Sequence, residues 1–111
     1  MLVSRSSPFG SPTRTGALVA LRLLEQSYPR EIARLLDQPL FAVQRALAGL
    51  ERDGLVVAVR TGRTRVYRID PRYFAFGELW SFLGRLSEAD PALQAEIAEL
   101  RRRPRRTGKR L

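Results

Sequence analysis

From Thr13 to Asp53 the apolar residues fall at helical spacing in three blocks. The first block carries Ala17, Leu18, Ala20, Leu21, Leu23 and Leu24. These cover more than one stripe, so the helix they predict is buried on several sides. It starts between Ser11 and Thr15, with Ser11 or Thr13 as cap and Pro12 tolerated in the first turn. Ser27-Tyr28-Pro29 ends it. Pro29 then suits the first position of a second helix, and Glu31 lies near that helix's positive end. Ile32, Ala33 and Leu36, with Leu35 beside them, form its inward face, and Asp37-Gln38-Pro39 makes a turn. A third helix spans about Leu40 to Asp53. Val43, Leu47 and Leu50 sit at i, i+4 and i+7 and face the core. Gly54 stands where a C-terminal stop belongs.

Beyond Gly54 the pattern changes. Leu55 to Arg60 is rich in strand formers (Val56, Val57 and Val59), and Thr61-Gly62-Arg63 reads as a turn. Thr64 to Ile69 is the return strand, with Arg65, Tyr67 and Ile69 on one face and Thr64, Val66 and Arg68 on the other. Pro71 ends it. A fourth helix covers about Ala75 to Leu86, with Phe76, Leu79, Trp80 and Leu83 as its apolar face. A fifth opens on Asp90 as cap and Pro91 in the first turn, buries Leu93, Ile97 and Leu100, and stops at Pro104. The division is a flexible arm at 1–12, with Phe9 able to pin it to the body, a domain at 13–86, a C-terminal amphipathic helix at 87–103 and a basic tail at 104–111. No internal repeat is visible.

Charge adds a partner class to this outline. Twenty Lys and Arg oppose eleven Asp and Glu, a net charge of +9, and Lys109 is the single lysine. Residues 101–111 hold seven of the basic groups and no acid, so the remaining hundred residues are nearly balanced. Within that body, Arg60 to Arg72 contains five Arg against Asp70 alone. Clustered positive charge is the footprint of a polyanion binder. Arginine also suits bidentate contacts to phosphate and guanine, although a GC-rich genome produces the same bias.

Cysteine and histidine are both absent, which removes disulfides, thiol redox sensing and the usual soft metal sites. It also removes most nucleophile–base pairs. Carboxylates are scattered over helix surfaces, and no GxG spacing occurs at Gly49, Gly54 or Gly62. Neither an enzyme nor a cofactor is expected. No apolar run reaches membrane-spanning length, and MLVSRSSPFG lacks a signal-type core, so a soluble cytoplasmic protein is expected.

The phrases REIARLL, AVQRALAGLERDGLV and GRTRVYRID in residues 14–86 resemble the helix-turn-helix and wing of the ArsR-like winged helix-turn-helix regulators of bacteria and archaea. The fold so expected is mainly α (α+β), a winged helix-turn-helix with a two-stranded wing and additional C-terminal helices. The resemblance implies a homodimer that binds operator DNA and represses transcription. Asp37 stands where many relatives have Gly, and Pro39 where a capping Ser or Thr is common. Metal-sensing members use Cys or His ligands, so metal-dependent derepression is not expected here.

The expected DNA-binding set is Leu40, Phe41, Gln44 and Arg45 on the third helix, with Arg60, Arg63, Thr64 and Arg65 around the ribbon tip. Gln pairs with adenine and Arg with guanine in the major groove. Phe41 touches a thymine methyl or, the favoured reading, packs under the turn. The wing arginines reach phosphates or a minor groove. The plainer alternatives are solvated helix residues and a hairpin whose edge charge prevents aggregation. A domain this small buries little surface alone. Leu18, Leu21, Phe76, Trp80, Leu83, Leu93, Ile97 and Leu100 are therefore expected at a twofold dimer interface. Tail 101–111 adds nonspecific phosphate contacts. Double-stranded DNA is the expected partner and no membrane is. The alternative is a winged-helix module that binds protein or RNA, which the apolar Leu40 and Phe41 would suit.

Overall fold

The computed structural model describes residues 8–102. The first seven residues of the expected arm, the stop at Pro104 and the basic tail 104–111 lie outside the described residues.

Helix α1 (Pro12–Leu24) begins at Ser11, whose backbone is extended and whose hydroxyl accepts the Arg14 N–H at 3.1 Å. That bond, with Pro12 in the first turn, selects Ser11 over Thr13 as cap. Leu18, Val19, Ala20 and Leu21 are all fully buried, so α1 is enclosed on several sides. Helix α2 (Pro29–Leu36) buries Ile32 and Ala33, while Leu35 and Leu36, which the pattern also turns inward, stay half-buried. It ends on Asp37 in the left-handed region (φ 54°, ψ 49°), and the Gln38 N–H reaches the Ala33 carbonyl at 3.0 Å. An aspartate tolerates this conformation better than most residues do, which accounts for a tight turn without glycine. Helix α3 (Leu40–Arg52) buries Val43, Leu47 and Leu50 completely. Gly54 (φ 83°) closes it, and the Leu55 N–H returns to the Leu50 carbonyl at 2.9 Å.

Strands β1 (Val56–Thr61) and β2 (Thr64–Ile69) pair antiparallel, from Val56 opposite Ile69 to Thr61 opposite Thr64. The turn is therefore only Gly62-Arg63, one residue shorter than expected, and Gly62 supplies the positive φ (64°) that such a hairpin requires. Directly opposed residues share a face, so Val56, Ala58, Arg60, Arg65, Tyr67 and Ile69 lie together, and Tyr67 and Ile69 are buried. Ser27 joins this sheet as a bridge: its N–H donates to the Tyr67 carbonyl at 3.0 Å, and the Tyr67 N–H returns to the Ser27 carbonyl at 2.7 Å. The break between α1 and α2 is thus also a fragment of strand, and it holds the start of α2 against β2.

Helices α4 (Phe76–Glu88) and α5 (Pro91–Arg102) fold back over α1 and α2. The reading that ended the domain at residue 86 cuts α4 in its last turn. Asp90 caps α5 by accepting the Leu93 N–H at 3.2 Å. Arg22 of α1 donates to the Trp80 carbonyl at 2.9 Å, and its guanidinium lies 4.4 Å from the centre of the Trp80 ring. Phe9 packs on Phe82 with ring centres 6.0 Å apart and fixes the start of the described chain to α4.

This packing relocates the expected dimer residues. Leu18, Leu21, Leu83, Leu93 and Ile97 are buried in the core of the single chain, because α4 and α5 cover α1 from within. Phe76, Trp80 and Leu100 are partly buried against the same core. Among the described residues, the large apolar side chains left exposed are Phe41, Val59, Phe74 and Phe82. Among the described residues, no helix is long and apolar enough to cross a membrane.

Candidate nucleic-acid interface

Three elements converge on an open groove of about 500 Å³. Helix α2 contributes Arg30, α3 contributes Leu40, Gln44, Ala48 and Glu51, and the hairpin contributes Arg63, Thr64, Arg65 and Tyr67. The Ser27–Tyr67 bridge sets α2 beside the hairpin, and the buried Val43–Leu47–Leu50 stripe turns the opposite side of α3 outward.

Gln44 and Arg45 are exposed, and Gln44 lines the groove. Leu40 is half-buried at its edge. Phe41 does not pack beneath the turn: it is 62 % exposed. The cause is angular. Two residues before Val43, it lies about 160° around the helix from the buried stripe. Its ring sits instead by Arg45 of the next turn, whose guanidinium carbon is 5.8 Å from the ring centre.

The expected wing residues separate into two kinds. Arg60 and Arg63 are exposed, and no hydrogen bond or ion pair engages their side chains among the described residues. Thr64 is half-buried in the groove. Arg65 is engaged inside the protein: its guanidinium donates to both Glu51 carboxylate oxygens, at 3.3 and 3.2 Å, and lies 5.5 Å from the Tyr67 ring. Half-exposed pairs of this kind contribute little to stability, about 0–1 kcal/mol, but this one ties the hairpin to α3. Burial pushes the Tyr67 hydroxyl above its ordinary value of 10.0; the Arg65 charge opposes that shift and the Glu51 charge adds to it. Tyr67 is therefore neutral throughout the physiological range.

Sequence reasoning missed Arg30 and Glu51. Arg30 follows Pro29 in the first turn of α2, far from the hairpin in sequence, and only the Ser27 bridge brings it to the groove. Glu51 is separated from Arg65 by 14 positions, and its pairing depends on the hairpin folding back over α3.

No sequence-family profile matches the chain. No curated protein matches it in sequence. Solved structures do match in shape. A double mutant of ZitR from Lactococcus lactis superposes with a TM-score of 0.59 at 18 % identity, over 80 % of this chain. The chain spans 60 % of that protein's length. The adhesin competence repressor AdcR from Streptococcus pyogenes superposes with a TM-score of 0.60 at 14 % identity, over 92 % of this chain and 74 % of its own. A transcriptional regulator homologue from Pyrococcus horikoshii superposes with a TM-score of 0.54 at 27 % identity, over 83 % of this chain and 93 % of its own. The fold is a winged helix. The hairpin β1–β2 is the wing, and α2–turn–α3 is the helix-turn-helix. A helix with its side chains is about 10–12 Å across, and the DNA major groove is about 12 Å wide. The exposed side of α3 therefore has the dimensions to enter that groove while the wing lies alongside it.

Proposed function

We propose that this chain is a sequence-specific, double-stranded DNA-binding transcriptional regulator that acts as a homodimer and represses by occupying its operator. In this reading α3 enters the major groove, Gln44 pairs with adenine and Arg45 with guanine. Arg63 and Arg60 of the wing, with Arg30 of α2, meet the flanking backbone or minor groove. The observation that carries it is the groove: Arg30, Gln44 and Arg63, from three different elements, line one open surface and have no side-chain partner among the described residues. The resemblance of residues 14–86 to ArsR-like regulators supports the same reading, as do the names of the proteins that share the fold. So does the basic segment 101–111, which adds salt-sensitive affinity for phosphate. The dimer contact is built around the apolar surface that the core leaves over at α4, with Phe82 on the helix and Phe74 just before it.

The test is selection of bound sequences from a random duplex pool. The expected winner is a palindrome whose half-sites lie about one helical turn apart, roughly 34–36 Å. A specific but non-palindromic winner would retain the DNA reading and remove the dimer. A second reading, a winged helix that binds protein or RNA, is favoured by the apolar first turn of α3, where Phe41 is exposed beside Leu40. A pool without enrichment supports that second reading.

A further inference from the structure

Phe41 and Arg45 pair on the outward face of α3. An exposed phenylalanine on the first turn of a helix leaves a large apolar surface in water. Its one described interaction is the Arg45 guanidinium, 5.8 Å from the ring centre. That distance lies within the range in which a cation is attracted to an aromatic face. The spacing is i to i+4, so both side chains stand on the same outward strip of α3, opposite Val43 and Leu47.

We propose that Phe41 and Arg45 form a composite reader of a guanine next to a thymine, in which Phe41 is a specificity-determining and positioning residue. The inference rests on the DNA-binding reading above and goes further by naming a base step. Two physical arguments lead to it. An arginine reads guanine through two parallel hydrogen bonds to O6 and N7, and that geometry is lost when its long stem wanders. The Phe41 ring confines the Arg45 guanidinium to one side of its stem and lowers the entropy lost on binding. The thymine C5 methyl, in turn, is the apolar group that a base pair displays in the major groove. With Arg45 on a guanine, the ring that supports it is carried to the neighbouring pair, where it covers that methyl. Packing cannot account for the ring's identity, because most of its surface is open.

The experiment uses the full-length chain as wild type, F41A and F41Y. Each is taken through random-pool selection, then titrated on the wild-type winner and on the same duplex with the neighbouring thymine replaced by uracil. Uracil lacks the methyl and changes nothing else. Wild type is expected to select a guanine with an adjacent thymine and to bind the uracil duplex roughly three- to fivefold more weakly. F41A is expected to lose that uracil effect and to weaken its preference for guanine roughly three- to fivefold. F41Y keeps the ring and restores both. Equal melting temperatures for the three proteins exclude a folding defect. Unchanged base preferences and an unchanged uracil effect in F41A would overturn the composite reader while leaving the DNA-binding reading intact. A wild-type pool with no enrichment would overturn both.

Discussion

At the junction of α1 with α3, Arg14 donates to Asp53 at 2.8 Å and to the Phe9 carbonyl at 2.8 Å, and its side chain is mostly buried. At the tip of the wing, Arg63 is exposed and has no partner among the described residues. The two residues are chemically identical and sit in opposite surroundings. Around Arg14 the molecule is closed: a Cβ on Gly49 would come within 2.6 Å of its guanidinium, so a larger residue there would make the end of the Arg14 side chain shift. Arg22 repeats the theme on α4, stacked on Trp80 and close over Gly84. Around Arg63 the molecule is open, and Arg30 and Gln44 line the same groove with no side-chain partner among the described residues. Residue type therefore does not separate arginines engaged within the fold from arginines left open to solvent; the presence of an internal partner does. Arg65 shows the point, since it lines the groove and yet spends its hydrogen bonds on Glu51.

The largest effect that would break this division belongs to the closed side. Leu47→Ala removes a fully buried side chain from α3 and is expected to destabilise the fold by about 2–5 kcal/mol in urea denaturation. A loss well under about 1 kcal/mol would mean that α3 is not anchored by its inward stripe. Next comes the open side. Arg45→Ala is expected to weaken binding to a selected site by about 1–3 kcal/mol and relax preference at one base, with the melting temperature unchanged.

A smaller and more informative contrast comes from Arg14→Ala set against Arg63→Ala. The first is expected to lower stability by about 1 kcal/mol, the Asp53 pair being discounted for its solvent exposure, and to leave the salt dependence of DNA binding alone. The second should leave stability alone, weaken all sequences alike and reduce the salt slope by roughly one. An interchange of these two outcomes would invert the comparison.

The smallest expected effect lies outside both regions. Asp70, just after β2, accepts from the Arg72 side chain at 3.2 Å and from its backbone N–H at 2.9 Å. The side-chain bond, then the backbone bond, hold its carboxyl below the ordinary value of 3.8. A carboxyl depressed in the folded state stabilises it above the unfolded value, and this contribution is lost as pH falls through the folded one. Acid unfolding of Asp70→Asn is therefore expected to lack a shallow decline in stability that wild type shows below about pH 4.

The closed side was legible in the sequence because it is periodic. Val43, Leu47 and Leu50 announce their burial by spacing, and Ser11, Gly54 and Asp90 announce ends by capping chemistry. The open side was legible by residue type for Gln44, Arg45 and Arg63, which the fold turns outward. What could not be read depended on distant segments meeting. Ser27 gives no strand signal, yet its bridge to Tyr67 delivers Arg30 to the groove. Of the expected dimer residues on α1, α4 and α5, Leu18, Leu21, Leu83, Leu93 and Ile97 are covered within the single chain, and Phe76, Trp80 and Leu100 are partly covered. Periodicity reports that a face is buried and is silent about what buries it. Phe41 is the instructive case: its hydrophobicity argued for packing, while its angle from Val43, available from the same sequence, argued for exposure.

The most direct test of the account is titration of the full-length protein against its selected duplex with a large excess of random competitor DNA, at two salt concentrations. The account predicts that binding persists under competition and weakens steeply with salt, since specific base contacts sit on top of a phosphate term. Complete loss of binding under competition would contradict it, leaving the α3–wing face a nonspecific polyanion surface.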